Sequence, residues 1–310
     1  MRLAPYFLGV LASLACGCAA RPSIALKRYQ FTRPRMGVPF RVVFWADNDA
    51  RAKVAAQAAF ARIAELDRML SDWNPDSELM RLCRTAGSGQ AQTASPDLWF
   101  VLGQARAFWR RSGGAFDPTI GPLVRLWRKA RKTKSLPTAA EVTAAQARTG
   151  CEHVVFQRHG VLLKRKGMLL DLGGIAKGYA ADEALSTLRQ HGITRALVDG
   201  SGDIAIGHPP PNADGWIVDS NGTSHSLCNV GIATSGDTYQ FVEIGGVRYS
   251  HIVDPSTGLG LTTRRVVTVV AKDAMTADSL ATALSVLDLS KGRLLIRATA
   301  GATASIKQDR

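Results

Sequence analysis

Hydrophobic residues recur along this chain at helical spacing in some segments and at strand spacing in others. The longest helical pattern covers residues 49–70, where Asp49 is a suitable N-cap and one broad face is apolar. Further helices are predicted over residues 96–111 and 137–149, and from residue 277 onward. Each of these segments needs a neighbouring surface against which its apolar face can be buried.

Runs of β-branched and aromatic residues predict the strands. They cover residues 40–45, 161–170, 196–207 with an internal glycine turn, 216–219, 224–228, 266–272 and 301–306. The pair Asn221-Gly222 is a two-residue hairpin signal between two of these strands. No internal repeat or linker divides the chain.

A glycine turn follows the apolar run at residues 161–170 and precedes a helical pattern. Gly173 and Gly174 allow the backbone to adopt positive φ and to approach a ligand closely. The N-terminus of a helix favours anions, Asp171 can accept hydrogen bonds from a polar ligand, and Lys177 can reach a phosphate. A simple helix start explains the same residues, so the turn alone does not decide between the two interpretations.

Two common phosphate-binding motifs are excluded at this turn. A Walker loop requires Gly-Lys-Ser/Thr, whereas Lys177 here precedes Gly178. A Rossmann fingerprint requires Gly-x-Gly-x-x-Gly, and the glycines at 173, 174 and 178 have a different spacing. The turn is therefore an anion-compatible site of another kind.

A second candidate site lies at the start of the predicted helix at residue 277. Asp278 and Thr282 are four residues apart, so both side chains project from one helical face. A carboxylate and a hydroxyl on one face are suitable oxygen ligands for Mg²⁺. The alternative is an acidic residue that only stabilises the helix N-terminus.

Several long blocks resemble one known family. Residues 171–182 read Asp-Leu-Gly-Gly-Ile-Ala-Lys-Gly-Tyr-Ala-Ala-Asp, and residues 114–123 read Gly-Ala-Phe-Asp-Pro-Thr-Ile-Gly-Pro-Leu. Residues 249–258 read Tyr-Ser-His-Ile-Val-Asp-Pro-Ser-Thr-Gly, and shorter matches lie at residues 71–79 and 231–237. Together they resemble the ApbE family of FAD:protein FMN transferases, in order, from residue 36 to the chain end.

The resemblance implies a fold and a chemistry. The fold would be α+β, with antiparallel sheets and flanking helices in a single T-fold-like catalytic domain at residues 36–310. The activity would be Mg²⁺-dependent transfer of FMN from FAD to a Thr or Ser hydroxyl of an acceptor protein, with release of AMP. The alternatives are an FAD pyrophosphatase that yields FMN and AMP, and a non-catalytic flavin-binding lipoprotein.

The resemblance also assigns roles to residues. Those implied to contact FAD are Met36, Trp73, Ala115, Phe116, Asp117, Asp171, Lys177, His251 and Ile252. The metal would be held by Asp278, Thr282 and the backbone carbonyl of Gly174, and His251 would act as general base or orient the acceptor hydroxyl, so His251 and Asp278 form the catalytic set. Asp199 and Ser201 depart from the family's usual residues.

The charge of the chain suits anionic ligands but not nucleic acid. The formal net charge is +14. The densest basic run, residues 125–134, lacks the interleaved aromatic residues of a single-strand binder and is interpreted as surface. No nucleic-acid partner is therefore expected.

The N-terminus has the features of an export signal. After Arg2, residues 3–15 are apolar but too short to span a bilayer, and small residues follow. Residues 1–20 are thus predicted to be a lipoprotein-type signal, with lipidation at Cys18 in preference to Cys16, or plain cleavage after residue 20 as the alternative. Residues 21–35 are predicted to be an irregular tether. The mature protein would then lie at the periplasmic face of a bacterial membrane.

Overall fold

The computed structural model describes residues 25–308 apart from residues 159, 221 and 237–239. The helices are α1 (Asp49–Leu70), α2 (Glu78–Arg84), α3 (Pro96–Arg111), α4 (Gly121–Thr133), α5 (Ala139–Gln146), α6 (Ala176–Gln190), α7 (Ala274–Val286) and α8 (Leu289–Arg297). The strands are β1 (Lys27–Arg35), β2 (Val38–Ala46), β3 (Val154–Gln157), β4 (Gly160–Leu163), β5 (Ala196–Asp199), β6 (Asp203–Ile206), β7 (Trp216–Ser220), β8 (Thr223–Leu227), β9 (Gly231–Gly236), β10 (Phe241–Ile244), β11 (Val247–Ser250), β12 (Arg265–Ala271) and β13 (Thr303–Gln308). The predicted signal at residues 1–20, with Cys16 and Cys18, lies outside the described residues, as does Asn221.

A seven-stranded sheet organises the fold, in the order β1-β2-β5-β6-β9-β12-β13. All neighbouring strands in it run antiparallel. Helix α1 packs on α6, α6 packs on α7, and α7 packs on β9 and β12. The predicted α+β class, with antiparallel sheets and flanking helices, is therefore confirmed. All helices within the described ranges are too short or too polar to cross a membrane.

Strand β2 shows how the sheet separates two hydrophobic layers. Val42 and Phe44 face the main core, which the helices cover. Val43 faces the opposite side, where Trp216 and Val218 of the β7–β8 hairpin cover the sheet. Successive side chains of a strand point to opposite faces, so an almost continuous apolar run can bury both faces at once.

A third hydrophobic cluster attaches α4 and α5 to the β10–β11 hairpin. Trp127 of α4 is buried, and its indole N–H donates to the Ser250 carbonyl at 3.0 Å. Burying the large indole with its N–H satisfied holds this helix close to the segment that contains His251. The basic stretch at residues 125–134 is therefore a packed helix rather than a simple exposed surface.

The predicted tether at residues 21–35 is wrong for residues 27–35, which form β1. This strand pairs with β2 along its whole length through the two-residue turn Met36-Gly37. Both turn residues have positive φ, 50° and 75°, as a tight hairpin turn requires. Tyr29 and Phe31 pack against the main core at a spacing of two, but the basic residues on either side of them concealed this strand pattern.

Other boundaries also differ from the prediction. The strand predicted over residues 161–170 ends at Leu163, and the chain then runs irregularly to α6. Asn48, rather than Asp49, caps α1 by accepting from the Arg51 N–H at 2.9 Å. The helix predicted from residue 277 already begins at Ala274, because the Asp273 side chain caps it.

Helices α6 and α7 cross at very close range. A Cβ atom at Gly178 would lie 2.3 Å from the carbonyl oxygen of Ala274. The Asp182 carboxylate of α6 accepts from the backbone N–H groups of Ala274 and Met275 at 3.0 and 2.9 Å. Burial raises the pKa of Asp182 to about 7. The first turn of α7 is therefore held directly against α6.

A glycine-to-alanine change at this crossing should destabilise the protein, whereas the same change at an open helix position should stabilise it. Gly178→Ala forces the two helix backbones apart and should lower the free energy of unfolding by about 1–3 kcal/mol. Gly103→Ala, in the middle of α3, meets nothing within 4 Å and should stabilise the protein by about 0.5–1 kcal/mol. Urea unfolding of both variants measures the difference. A Gly178→Ala protein as stable as the wild type would contradict the close crossing.

Candidate active site

A large cavity lies where the irregular segment before α6 meets the sheet, α4 and α7. Its volume is about 1300 Å³, above the roughly 300–1000 Å³ of ordinary small-molecule sites. Every site residue predicted from the sequence lines it: Met36, Trp73, Ala115, Phe116, Asp117, Asp171, Gly174, Lys177, His251, Ile252, Asp278 and Thr282. The structure thus brings together residues from widely separated parts of the chain, while their individual roles stay predictions.

The glycine turn approaches α7 closely. A Cβ atom at Gly174 would lie 2.7 Å from Thr282 Oγ1 and 3.2 Å from the Phe116 ring. Neither Gly173 nor Gly174 has positive φ, so the turn does not use the left-handed conformation that the two glycines allow. Glycine is needed at 174 because the backbone approaches a neighbouring helix closely. The Gly173 N–H donates to Asp171 Oδ1 at 2.8 Å and steadies the turn.

Asp278 lies buried on the cavity side of α7. Its side chain belongs to a residue only 5% exposed, and Oδ2 accepts from the Gly178 N–H at 3.2 Å. Burial and, to a smaller extent, the nearby charge of Asp203 raise the pKa of Asp278 to about 8. Thr282 follows one helical turn later on the same face.

An ion pair between Lys177 and Asp203 lies beside Asp278. Burial opposes the charge on the ammonium, but the charges of Asp203 and Asp278 outweigh this effect and raise the pKa of Lys177. Burial raises the pKa of Asp203, which is 3% exposed. Asp203 was not predicted as a site residue, although its position after the glycine turn at residues 200–202 was a usable signal.

Arg128 of α4 is a further cavity residue that the sequence interpretation missed. Its guanidinium lies 2.5 Å from Asp72 Oδ2 and 3.5 Å from Asp171 Oδ2. Its Cζ atom lies 3.9 Å from the centroid of the Trp73 ring. Helical periodicity could have indicated it. Arg128 directly follows the buried Trp127, so its side chain is expected at the edge of the buried face of α4.

Met36 and His251 occupy constrained positions at the cavity. The Met36 N–H donates to Asp67 Oδ2 at 2.9 Å, which helps to hold this residue at its positive φ. His251 Nδ1 lies 3.2 Å from the Gln240 carbonyl oxygen. A carbonyl can only accept, so in the neutral ring the proton is on Nδ1 and the lone pair is on Nε2.

The three residues predicted to hold Mg²⁺, Gly174, Asp278 and Thr282, line the same cavity, and Thr282 lies against Gly174. Their carbonyl, carboxylate and hydroxyl oxygens are donors of the kind that Mg²⁺ prefers. Within the described ranges, no group of three or more His, Cys, Asp or Glu side chains is placed to hold a metal. Mg²⁺ is commonly held by one or two carboxylates together with substrate phosphates, and this donor set fits that pattern.

Comparison with known proteins decides the family. The model of the ApbE family matches residues 36–306. The chain belongs to the ApbE family. The resemblance of the sequence blocks is thereby confirmed, and it extends over nearly the whole described chain.

Relatives of known name support the ApbE assignment. A Klebsiella pneumoniae protein named FAD:protein FMN transferase is 33% identical over 285 residues, covering 84% of this chain and 79% of that protein. A Treponema pallidum protein of the same name is 32% identical, with 96% and 89% coverage. The solved structure of the flavin transferase ApbE from Vibrio cholerae has a TM-score of 0.81 and 28% identity, covering 92% of this chain and 97% of that one.

The Lys177–Asp203 pair predicts a specific pattern of stability in this ApbE protein. Lys177→Met leaves the Asp203 carboxylate buried without its cation and should lower the free energy of unfolding by about 3–5 kcal/mol. Lys177→Met combined with Asp203→Asn should be more stable than the single Lys177→Met variant. Urea unfolding at pH 7 measures both.

The matched control removes an exposed ion pair. Lys129 pairs with Glu141 at 3.2 Å, with side-chain exposures of 67% and 41%. Lys129→Met should therefore change stability by less than about 1 kcal/mol. The single variant Asp203→Asn completes the comparison. If the stability losses of the two single variants simply add up to that of the double variant, the two residues do not interact.

Proposed function

We propose that this protein transfers FMN from FAD to a Thr or Ser hydroxyl of an acceptor protein and releases AMP. The proposal is carried by the cavity, which is lined by Gly174, Thr282 and Asp278 and also by the aromatic residue Trp73. Family membership supports it, because curated ApbE relatives are named FAD:protein FMN transferase. FAD is the substrate, and an acceptor protein is the second partner.

The reaction exchanges the phosphoanhydride linkage of FAD for a phosphoester linkage to the acceptor. The acceptor hydroxyl oxygen forms a bond to the phosphorus of the FMN half of FAD, and the bond from that phosphorus to the bridging oxygen breaks. AMP leaves with the bridging oxygen and both electrons of that bond. The hydroxyl proton passes to a base, for which His251 Nε2 is the candidate, since Nδ1 is turned towards the Gln240 carbonyl.

Mg²⁺ is proposed to bind to Asp278, Thr282 and the carbonyl of Gly174. When bound there, it would neutralise pyrophosphate charge and polarise the reacting phosphorus. The Lys177 ammonium adds fixed positive charge next to this site, and the N-terminus of α6 adds the dipoles of its N–H groups. Met36 offers apolar surface for the flavin half of FAD, and Trp73 offers an aromatic face for one of its two flat rings.

Mass spectrometry tests the proposed function directly. The purified protein is incubated with FAD, Mg²⁺ and a fraction of exported proteins from the same cells. We expect a Thr or Ser peptide to gain the mass of FMN less one water, with one AMP released per transfer. Free FMN and AMP without a peptide mass gain would instead identify a pyrophosphatase. Unchanged FAD would identify a binding protein without this activity.

The metal assignment predicts the outcome of changes on α7. Asp278→Ala should abolish FMN transfer and weaken Mg²⁺ binding by at least about tenfold, because the only carboxylate in the proposed donor set is lost. Thr282→Val should reduce both, whereas Thr282→Ser keeps the hydroxyl and should preserve them. Calorimetric titration with Mg²⁺ and the transfer assay measure the two properties. Wild-type Mg²⁺ affinity in Asp278→Ala would remove this residue from the site.

We also propose that the protein is exported and lipid-anchored at the periplasmic face of a bacterial membrane. The apolar run at residues 3–15 and the small residues after it support this proposal. Cys18→Ser should move the protein from the membrane fraction to the soluble periplasmic fraction, whereas Cys16→Ser should leave it in membranes. Immunoblotting of cell fractions measures this, and membrane retention of Cys18→Ser would contradict anchoring at that residue.

A further inference from the structure

We propose that Arg128 is a positioning residue that holds Trp73 as a stacking platform for a planar heteroaromatic ring of FAD. The inference rests on the proposed function, because it assigns a role in binding FAD. It concerns a residue that none of the matched sequence blocks includes. The supporting observations are the three contacts of the Arg128 guanidinium and the exposure of the Trp73 ring.

The Trp73 ring is held from one side only. It is 73% exposed, although it lies on the cavity wall. The backbone beneath it is fixed, because Ser71 Oγ accepts from the N–H groups of Trp73 and Asn74 at 3.2 and 3.1 Å. The side chain itself is steadied by Arg128, whose Cζ atom lies 3.9 Å from the ring centroid. The guanidinium covers one face of the indole and leaves the other available to a flat ligand.

Arg128 is in turn held by two carboxylates. It pairs with Asp72, the neighbour of Trp73, at 2.5 Å, and with Asp171, at the start of the glycine turn, at 3.5 Å. Burial and the charge of Asp72 raise the pKa of Asp171, so the two carboxylates act on each other as well. The guanidinium thus connects the loop after α1, helix α4 and the glycine turn at one point.

A planar guanidinium suits this position better than an ammonium. It can stack on an aromatic face while its edge donates to carboxylates, whereas lysine offers only a compact charge. Fixing an exposed indole before the ligand arrives lowers the entropy cost of binding. Arg128 therefore acts on the ligand through Trp73, and its effect should disappear once the indole is removed.

Two flat rings of FAD could occupy the platform, and separate ligands distinguish them. FMN carries the isoalloxazine ring and AMP carries the adenine ring, and neither contains the pyrophosphate bond that is broken. We expect Arg128→Met to raise the Kd of one of these ligands by about five- to tenfold, as the loss of a stacked cation implies. Arg128→Lys should show a smaller loss. Calorimetry measures both ligands, and quenching of flavin fluorescence gives a second readout for FMN.

A double-variant comparison separates positioning from direct contact. In a Trp73→Ala background, Arg128→Met should change the Kd by less than about twofold, because non-additivity marks residues that act together. Lys132→Met removes the same charge from an exposed position of α4 outside the cavity and should leave both affinities unchanged. Circular dichroism confirms that each variant is folded.

Four results would overturn the inference. Unchanged FMN and AMP affinities in Arg128→Met, or an equal loss with and without Trp73, would show that Arg128 does not position the indole. If the wild-type protein binds FMN and transfers it, and Arg128→Met does both equally well, this role of Arg128 is rejected while the proposed function stands. Wild-type protein that neither binds FMN nor transfers it would reject both.

Discussion

The close crossing of α6 and α7 is the constraint on which the site depends. Gly178 lets the backbone of α7 approach α6, and Asp182 accepts from the first N–H groups of α7. The same crossing places Asp278 under the Gly178 N–H and Thr282 against Gly174. Segments that are distant in sequence therefore line one part of the cavity. Because each of these contacts involves a backbone atom on at least one side, they cannot loosen without separating the segments.

That crossing also explains how the protein tolerates several buried charges at one place. Lys177 and Asp203 pair with each other, the charge of Asp278 helps to raise the pKa of Lys177, and the charge of Asp203 helps to raise the pKa of Asp278. Isolated charges would cost free energy when buried to this extent, but here each carboxylate has a cation or a backbone N–H beside it. The charges of these residues in the cavity wall are therefore fixed in place before a ligand binds. Such fixed charges are effective towards a charged substrate because they need little reorganisation.

The sequence predicted the site more completely than it predicted the fold around it. Contiguous blocks carried the glycine turn and His251, the four-residue spacing to Thr282 indicated Asp278, and all of them line the same cavity. Strand β1 was missed because its sequence is rich in basic residues, although its pairing with β2 is a local hairpin. Arg128 was missed for a different reason: its partners Asp72 and Asp171 lie far away in sequence, and only the folded chain brings them together.

The loop between β5 and β6 shows why a departure from the family pattern need not disturb the site. Asp199 accepts from the Gly202 N–H at 2.9 Å and pairs with Arg41 at 3.0 Å. Ser201 adopts a positive φ of 61°, and its hydroxyl donates to the Pro39 carbonyl at 3.1 Å. Both unusual residues are thus satisfied by the turn itself and by β2. Because these contacts anchor the loop to β2, Asp203 remains in place beside Lys177 in the wall of the cavity.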